Sequence, residues 1–152
     1  MVMSSAGIDE SNGNGKLILL PHDSFKTASI LRKKLKEKYR LKNLGVLIVG
    51  SRTLPLRKGV LGSTLGYSGF KGLRECKGTK DIFGRAFKFS RTNIADSLAT
   101  SAVLTMGEGK EKQPLALITE ALVEFSEKIN RQELKIKLED DMYRPLFSKL
   151  PR

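Results

Sequence analysis

The apolar residues fall in short runs whose spacing alternates between strand and helix periods. Lys16-Leu-Ile-Leu-Leu20 is a brief continuous run stopped by Pro21 and predicts a strand. Asp23 or Ser24 then offers a side-chain oxygen to the orphan N–H groups of a helix start. Ala28, Leu31, Leu35 and Tyr39 recur at helical spacing, so a helix is predicted to about Tyr39 with that face inward. Its other face is nearly all lysine and arginine. Leu44 to Val49 is a continuous run rich in branched residues and predicts a buried strand. Val60 to Tyr67 and Arg85 to Ser90 are further predicted strands.

Asn93 is a good cap for a second helix, Ile94 to Met106, with Ile94, Leu98, Ala102 and Met106 on one face and Gly107 at its end. Beyond it Leu115 to Ile118 and Gln132 to Leu138 predict strands, and Asp140 to Leu150 a short helix interrupted near Pro145. Met1 to Gly15 reads as loop. Strands with helices interspersed at irregular spacing predict an α+β fold: a mixed sheet with two main helices, in one domain over residues 1–152. Nine of the fourteen glycines lie between Gly45 and Gly84, which calls for tight turns or close backbone approaches there.

Composition narrows the function classes. Apolar residues make up 39% of the 152, enough for a real core. No apolar run approaches the roughly 20 residues that span a bilayer, and no secretory signal opens the chain. Cys76 is the only cysteine, which leaves no intrachain disulfide or multi-cysteine metal site and fits a reducing cytoplasm. The net charge of +12 is uneven: residues 26–43 hold eight basic residues and one acidic, residues 52–91 ten and two. Such a field attracts anions, among them nucleotides, polyglutamates and nucleic acid.

Three segments offer chemistry. Asp9-Glu-Ser-Asn12 in a Gly-rich loop and Glu108 in Met106-Gly-Glu-Gly-Lys110 carry carboxylates suited to a hard cation, though turns use the same residues. Ser51-Arg-Thr-Leu-Pro-Leu-Arg-Lys-Gly59 follows the predicted buried strand as a loop, and its Arg52, Arg57 and Lys58 could hold phosphates or carboxylates. His22, the single histidine, has the residues of a helix start beside it and suits a surface role. Cys76 lies among Arg74, Lys77 and Lys80, without the second histidine or resolving cysteine that thiol chemistry needs.

In order, Ala6-Gly-Ile-Asp-Glu-Ser-Asn12, Ser51 to Gly59, Gly66-Tyr-Ser-Gly-Phe-Lys-Gly-Leu-Arg74, Asp81-Ile-Phe-Gly-Arg85, Asn93-Ile-Ala-Asp96 and Leu104-Thr-Met-Gly-Glu108 resemble the coenzyme F420-0:γ-glutamyl ligases, and the Ser-Arg-Thr-x-Pro-Leu-Arg pattern resembles their folate-metabolism branch. The resemblance covers about residues 5–118 and corresponds to the carboxy-terminal half of such an enzyme, with the family's preceding stretch expected to be absent. It implies a cytoplasmic homodimer that uses GTP and Mn²⁺ or Mg²⁺ to join L-glutamate to a folate-like or F420-0 acceptor through an acyl phosphate. It implies that Asp9, Ser51 and Glu108 sit at the metal, and that Asn12, Met106, Gly107 and Gln113 contact the nucleotide. Arg52, Arg57, Arg74 and Arg85 are the candidates for anionic substrate. One departure bears on activity: Gly50 stands where the family pattern has a metal-binding aspartate. Two alternatives follow, a non-catalytic binding module of the same fold and a basic nucleic-acid-binding domain. The second explains the charge but not the motifs, and residues 26–43 show no aromatic interleaving.

Overall fold

The structure, a computed structural model, describes residues 8–147. Its elements are β1 (Ile8–Asp9), β2 (Ile18–Leu19), α1 (Ser24–Tyr39), β3 (Val46–Thr53), β4 (Val60–Ser68), β5 (Leu73–Glu75), β6 (Arg91–Asn93), α2 (Ile94–Met106) and α3 (Arg144–Phe147), with a 3₁₀ turn at Leu138–Asp140. The α+β class with two main helices holds. The strands pair antiparallel as β1–β2, β3–β4 and β5–β6, so among the described residues there are three two-stranded ribbons and not one mixed sheet.

α1 starts where the sequence predicts. Asp23 is extended, and its carboxylate accepts the Lys26 N–H at 2.9 Å. The helix stops at Arg40, whose left-handed backbone (φ 53°) turns its N–H onto the Lys36 carbonyl. The inward face, however, is Phe25, Ala28, Arg32 and Lys36, while Leu31, Leu35 and Tyr39 are exposed. Arg32 turns inward because each of its three guanidinium nitrogens finds an acceptor there. Nε donates to the Leu44 carbonyl at 2.7 Å, and the two terminal nitrogens donate to the Glu127 carboxylate at 2.6 Å each. A hydropathy pattern scores arginine as outward and cannot anticipate that pair.

β4 is the centre of the molecule. It is buried along most of its length, with α1 and α2 both packed on it. Two glycines permit the approach. A Cβ on Gly62 would run into the Ala99 carbonyl of α2, and one on Gly66 would sit 2.5 Å from the Phe25 nitrogen of α1. α2 answers with Ala95, Ala99 and Ala102 as its buried face, one step round from the predicted Ile94, Leu98, Ala102 and Met106. Ile94 and Leu98 still pack at the edge of the core formed by Tyr67, Phe70 and Ala95. Tyr67 anchors that core, its ring 5.1 Å from Phe25 and 5.2 Å from Phe70. Burying one such aromatic contributes about 1.5–3 kcal/mol.

After α2 the chain is mostly irregular. The predicted strands Arg85–Ser90, Leu115–Ile118 and Gln132–Leu138 do not form: the first has a single bridge, Lys80 to Ala86, and the others have no partner strand among the described residues. Leu115 and Leu117 stand 87% and 84% exposed, so their apolar run does not mark a buried strand. Of the predicted helix 140–150, Asp140 ends the 3₁₀ turn, 141–143 are irregular or turn, α3 spans Arg144–Phe147, and 148–150 lie outside the described residues.

Residues 121–134 instead strap the body by specific bonds. The Lys71 N–H donates to the Glu124 carbonyl at 2.9 Å and the Ser126 N–H to the Gly69 carbonyl at 3.0 Å. Arg131 pairs with Asp23 at 2.9 Å, and Val123, Ile129 and Leu134 pack on the core. The Glu133 carboxylate accepts from the Tyr67 hydroxyl and from the Gly72 N–H. Burial, reinforced by Glu133, pushes the Tyr67 phenol well above its ordinary value, so Tyr67 remains a neutral donor.

Candidate functional site

The predicted site residues lie on three parts of the fold. Asp9 ends β1, and its carboxylate accepts the Ser11 N–H at 2.8 Å, a bond that holds the carboxyl below its usual range. Asn12 follows in a turn with a left-handed backbone (φ 57°). Ala6 and Gly7 of the same motif lie outside the described residues. β1 and β2 make their main contact with each other, so this small ribbon is an outlying piece.

Ser51 and Arg52 belong to β3 and not to the loop that follows it, which is a correction to the sequence expectation. The hairpin register sets Gly50 opposite Ser63, Ser51 opposite Gly62 and Arg52 opposite Leu61. Because Gly62 touches α2 at Ala99 and Val103, the end of β3 that carries Ser51 lies beside the middle of that helix. Arg57 is in the exposed turn beyond.

Glu108 is exposed just after the Gly107 cap of α2, flanked by half-buried Met106 and Gly107. Glu111 folds back there, its carboxylate accepting the Gly109 N–H at 2.8 Å, and Gln113 is exposed further on.

The four candidate arginines do not form one cluster. Arg74 donates to the Leu122 carbonyl, Arg85 lies on the protruding segment between β5 and β6, and Arg52 is bound inward.

Sequence reasoning missed the residue that binds Arg52. Asp96, in the first turn of α2, accepts the Thr64 N–H at 2.8 Å and the Asn93 amide at 2.7 Å, and its carboxylate is 3.5 Å from the Arg52 guanidinium. Asn93 in return accepts the Asp96 N–H at 3.0 Å, a reciprocal helix cap. The signal was present as the Asn93-x-x-Asp96 spacing, but only the folded chain brings β3 and β4 to it. Arg52 Nε and the Thr64 hydroxyl are buried beside this clamp with no hydrogen-bond partner among the described residues. The clamp joins β3, β4 and α2 immediately next to Ser51.

Asp9, Ser51 and Glu108 offer hard oxygen donors, the chemistry Mn²⁺ or Mg²⁺ takes. Their number is low. Among the described residues no three His, Cys, Asp or Glu side chains gather where they could hold a metal ion, and Gly50 contributes none. A cation here would need further oxygens from water and substrate phosphates, as Mg²⁺ commonly does.

The F420-0:γ-glutamyl ligase family model matches residues 1–120. The chain is 39% identical over 143 residues to the coenzyme F420:L-glutamate ligase of Methanococcus maripaludis strain C7, a match covering 94% of this chain and 57% of the relative. It is 38% identical over 143 residues to the enzyme of the same name from Methanocaldococcus jannaschii, covering 94% and 57%. To that of Archaeoglobus fulgidus it is 36% identical over 118 residues, covering 77% and 47%. The chain thus spans a little over half the length of these Methanococcus and Methanocaldococcus relatives. No helix among the described residues is long and apolar enough to cross a membrane.

Proposed function

This chain belongs to the F420-0:γ-glutamyl ligase family, and from that premise we propose that it serves a GTP-dependent ligase that adds L-glutamate to an F420-type or folate-like acceptor. In such a reaction the acceptor carboxylate attacks the γ-phosphoryl group of GTP to give an acyl phosphate. The glutamate amine then displaces phosphate. Every reactant is anionic, and the basic residues of segments 26–43 and 52–91 favour their arrival.

The observation that carries this reading is the joint between β3 and α2. Ser51 and Arg52 lie on one element, Asp96 and Met106 on the other, which Asn93 caps, and the Asp96 clamp ties the two together. Two of the stretches that resemble the family, the one at Ser51 and the one at Asn93, therefore meet at this polar corner. In the proposed site Asn12, Met106, Gly107 and Gln113 contact the nucleotide, while Asp9, Ser51 and Glu108 provide oxygens toward Mn²⁺ or Mg²⁺. When bound, that cation would neutralise charge on the phosphates. A homodimer in the cytoplasm completes the proposal. The shortage of carboxylates favours a second reading, a binding module of the same fold without turnover.

The test is a thermal shift with GTP plus Mn²⁺, followed by an assay of glutamate transfer. A rise in Tm that is lost in Asp9→Asn and Glu108→Gln supports the ligase site; no shift at millimolar ligand removes it. A shift without transfer selects the binding module. Gly50→Asp sharpens the outcome. The atoms nearest its Cβ would be Leu65 Cδ1, Cγ and Cδ2, at 3.3, 3.5 and 3.6 Å, so the added Cβ needs a shift of a few tenths of an ångström from the Leu65 side chain. We expect Gly50→Asp to tighten Mn²⁺ binding about tenfold or more, read by calorimetric titration.

A further inference from the structure

The strap follows the stretch that the family model matches, and one of its residues reaches back beneath the start of α2. Glu133 is half-buried. A single oxygen of its carboxylate, Oε1, accepts both the Tyr67 hydroxyl and the Gly72 N–H, the latter at 2.8 Å. Gly72 is buried against the Tyr67 ring, where a Cβ would lie 2.5 Å from both Cζ and the hydroxyl oxygen. The missing side chain is what lets this backbone come so close to the ring. The Gly72 carbonyl in turn accepts the N–H groups of Ile94 at 2.9 Å and Ala95 at 3.1 Å. Those are two of the donors that a helix start leaves without a partner of its own.

α2 carries the constraint on to the β3–β4 hairpin. Asp96 accepts the Thr64 N–H at 2.8 Å, and one turn later the Thr100 hydroxyl donates to the Gly62 carbonyl at 3.0 Å. In the hairpin register Thr64 lies opposite Val49, Ser63 opposite Gly50 and Gly62 opposite Ser51. The two bonds from α2 therefore span the rungs of Val49, Gly50 and Ser51.

We propose that Glu133 is a positioning residue: it holds Gly72, Gly72 holds the start of α2, and α2 holds the strand that presents Ser51. That the place so held takes a cation and a nucleotide rests on the ligase reading above; the link itself does not. Other strap anchors do not share this role. Glu127 pairs with Arg32 and Lys36 of α1, and Arg131 with Asp23 at the cap of α1, so both secure the strap away from Gly72. Because one oxygen takes both bonds, the amide oxygen of a glutamine can stand in its place, and the link depends on the acceptor rather than on its charge.

The experiment compares the whole chain with Glu133→Ala, Glu133→Gln and Glu127→Gln by amide hydrogen exchange. Exchange is resolved by NMR at Ile94, Ala95 and Thr64, with the α1 amides of Leu31 and Leu35 as reference. Glu133→Ala is expected to speed exchange at the three amides by about tenfold more than at the reference, which separates a local opening from a general loss of stability. Glu133→Gln should stay within about threefold of the parent. Glu127→Gln should leave the three amides at the parent rate. Calorimetric titration with GTP and Mn²⁺ then reads the consequence at the site: binding about tenfold weaker in Glu133→Ala and restored in Glu133→Gln. If Glu133→Ala does not fold, Glu133→Asp, whose carboxylate falls a methylene short, carries the same comparison.

The proposal is overturned if the three amides keep the parent rate in Glu133→Ala, or if their rise is no larger than that in α1. It is equally overturned if Glu133→Gln behaves as Glu133→Ala, or if Glu127→Gln opens the same amides. Opened amides beside unchanged binding, in a parent that does bind GTP and Mn²⁺, would remove the positioning role and leave the ligase reading intact. Opened amides in a chain that binds neither would uphold the link and sink the ligase reading alone.

Discussion

β4 and the exposed arm between β5 and β6 each hold two glycines, yet the residue does opposite work in them. In β4, Gly62 and Gly66 are buried, and the missing Cβ makes room for the backbones of α2 and α1. In the arm, Gly78 (φ 84°) and Gly84 (φ 83°) have nothing within contact distance, and what they supply is a left-handed turn. One region uses glycine to bring elements together, the other to fold back on itself and stay outside. Glycine therefore serves the centre of the molecule and an exposed segment alike.

The largest effect is expected at Gly62. Gly62→Ala places a methyl against the Ala99 carbonyl, which belongs to helix backbone and cannot rotate away. It should cost about 3 kcal/mol, seen as a large fall in the urea midpoint. A loss under about 1 kcal/mol would break the distinction. Gly84→Ala meets open space and pays only for its positive φ, about 1 kcal/mol. It should leave the near-UV spectrum of the Tyr67 core unchanged.

The smallest effect at neutral pH is expected at Glu127, whose exposed carboxylate ties the strap to Arg32 on α1, beside β4. The Arg32 guanidinium lowers the Glu127 carboxyl from 4.5 to about 2. The pair's contribution is thus complete above pH about 4.5 and is lost as the pH falls toward 2. Glu127→Gln should flatten that acid limb, measured as denaturation midpoints from pH 5 to 2. An unchanged acid limb would mean that the apolar anchors alone hold the strap.

Elements whose signals are local were legible. The Asp23 and Asn93 caps, the two main helices and the Val60 strand follow from residues that bond or turn within a few positions. The inward faces were legible only in part. Arg32 is buried because Glu127 lies 95 positions away in sequence and beside it in space, and the α2 seam is set by the fit of Ala99 to Gly62. Of the predicted strands after residue 84, Arg85–Ser90 keeps only scattered bonds to residues 76–81, and Leu115–Ile118 and Gln132–Leu138 have no partner strand among the described residues, without which strand propensity forms no sheet.

The candidate site divides the same way. Its donor types at Asp9, Ser51 and Glu108, the lack of a side chain at Gly50 and the excess of positive charge are fixed by the order of residues. The sequence by itself thus determined the family, the α+β class and the chemistry on offer. Only the tertiary structure decided that Arg52 is held by Asp96, that the arginines are dispersed, and that Glu133 reaches Gly72 beneath the start of α2. The physical reason is that those outcomes depend on pairings across many intervening residues, where burial and geometry, not local spacing, select the partner.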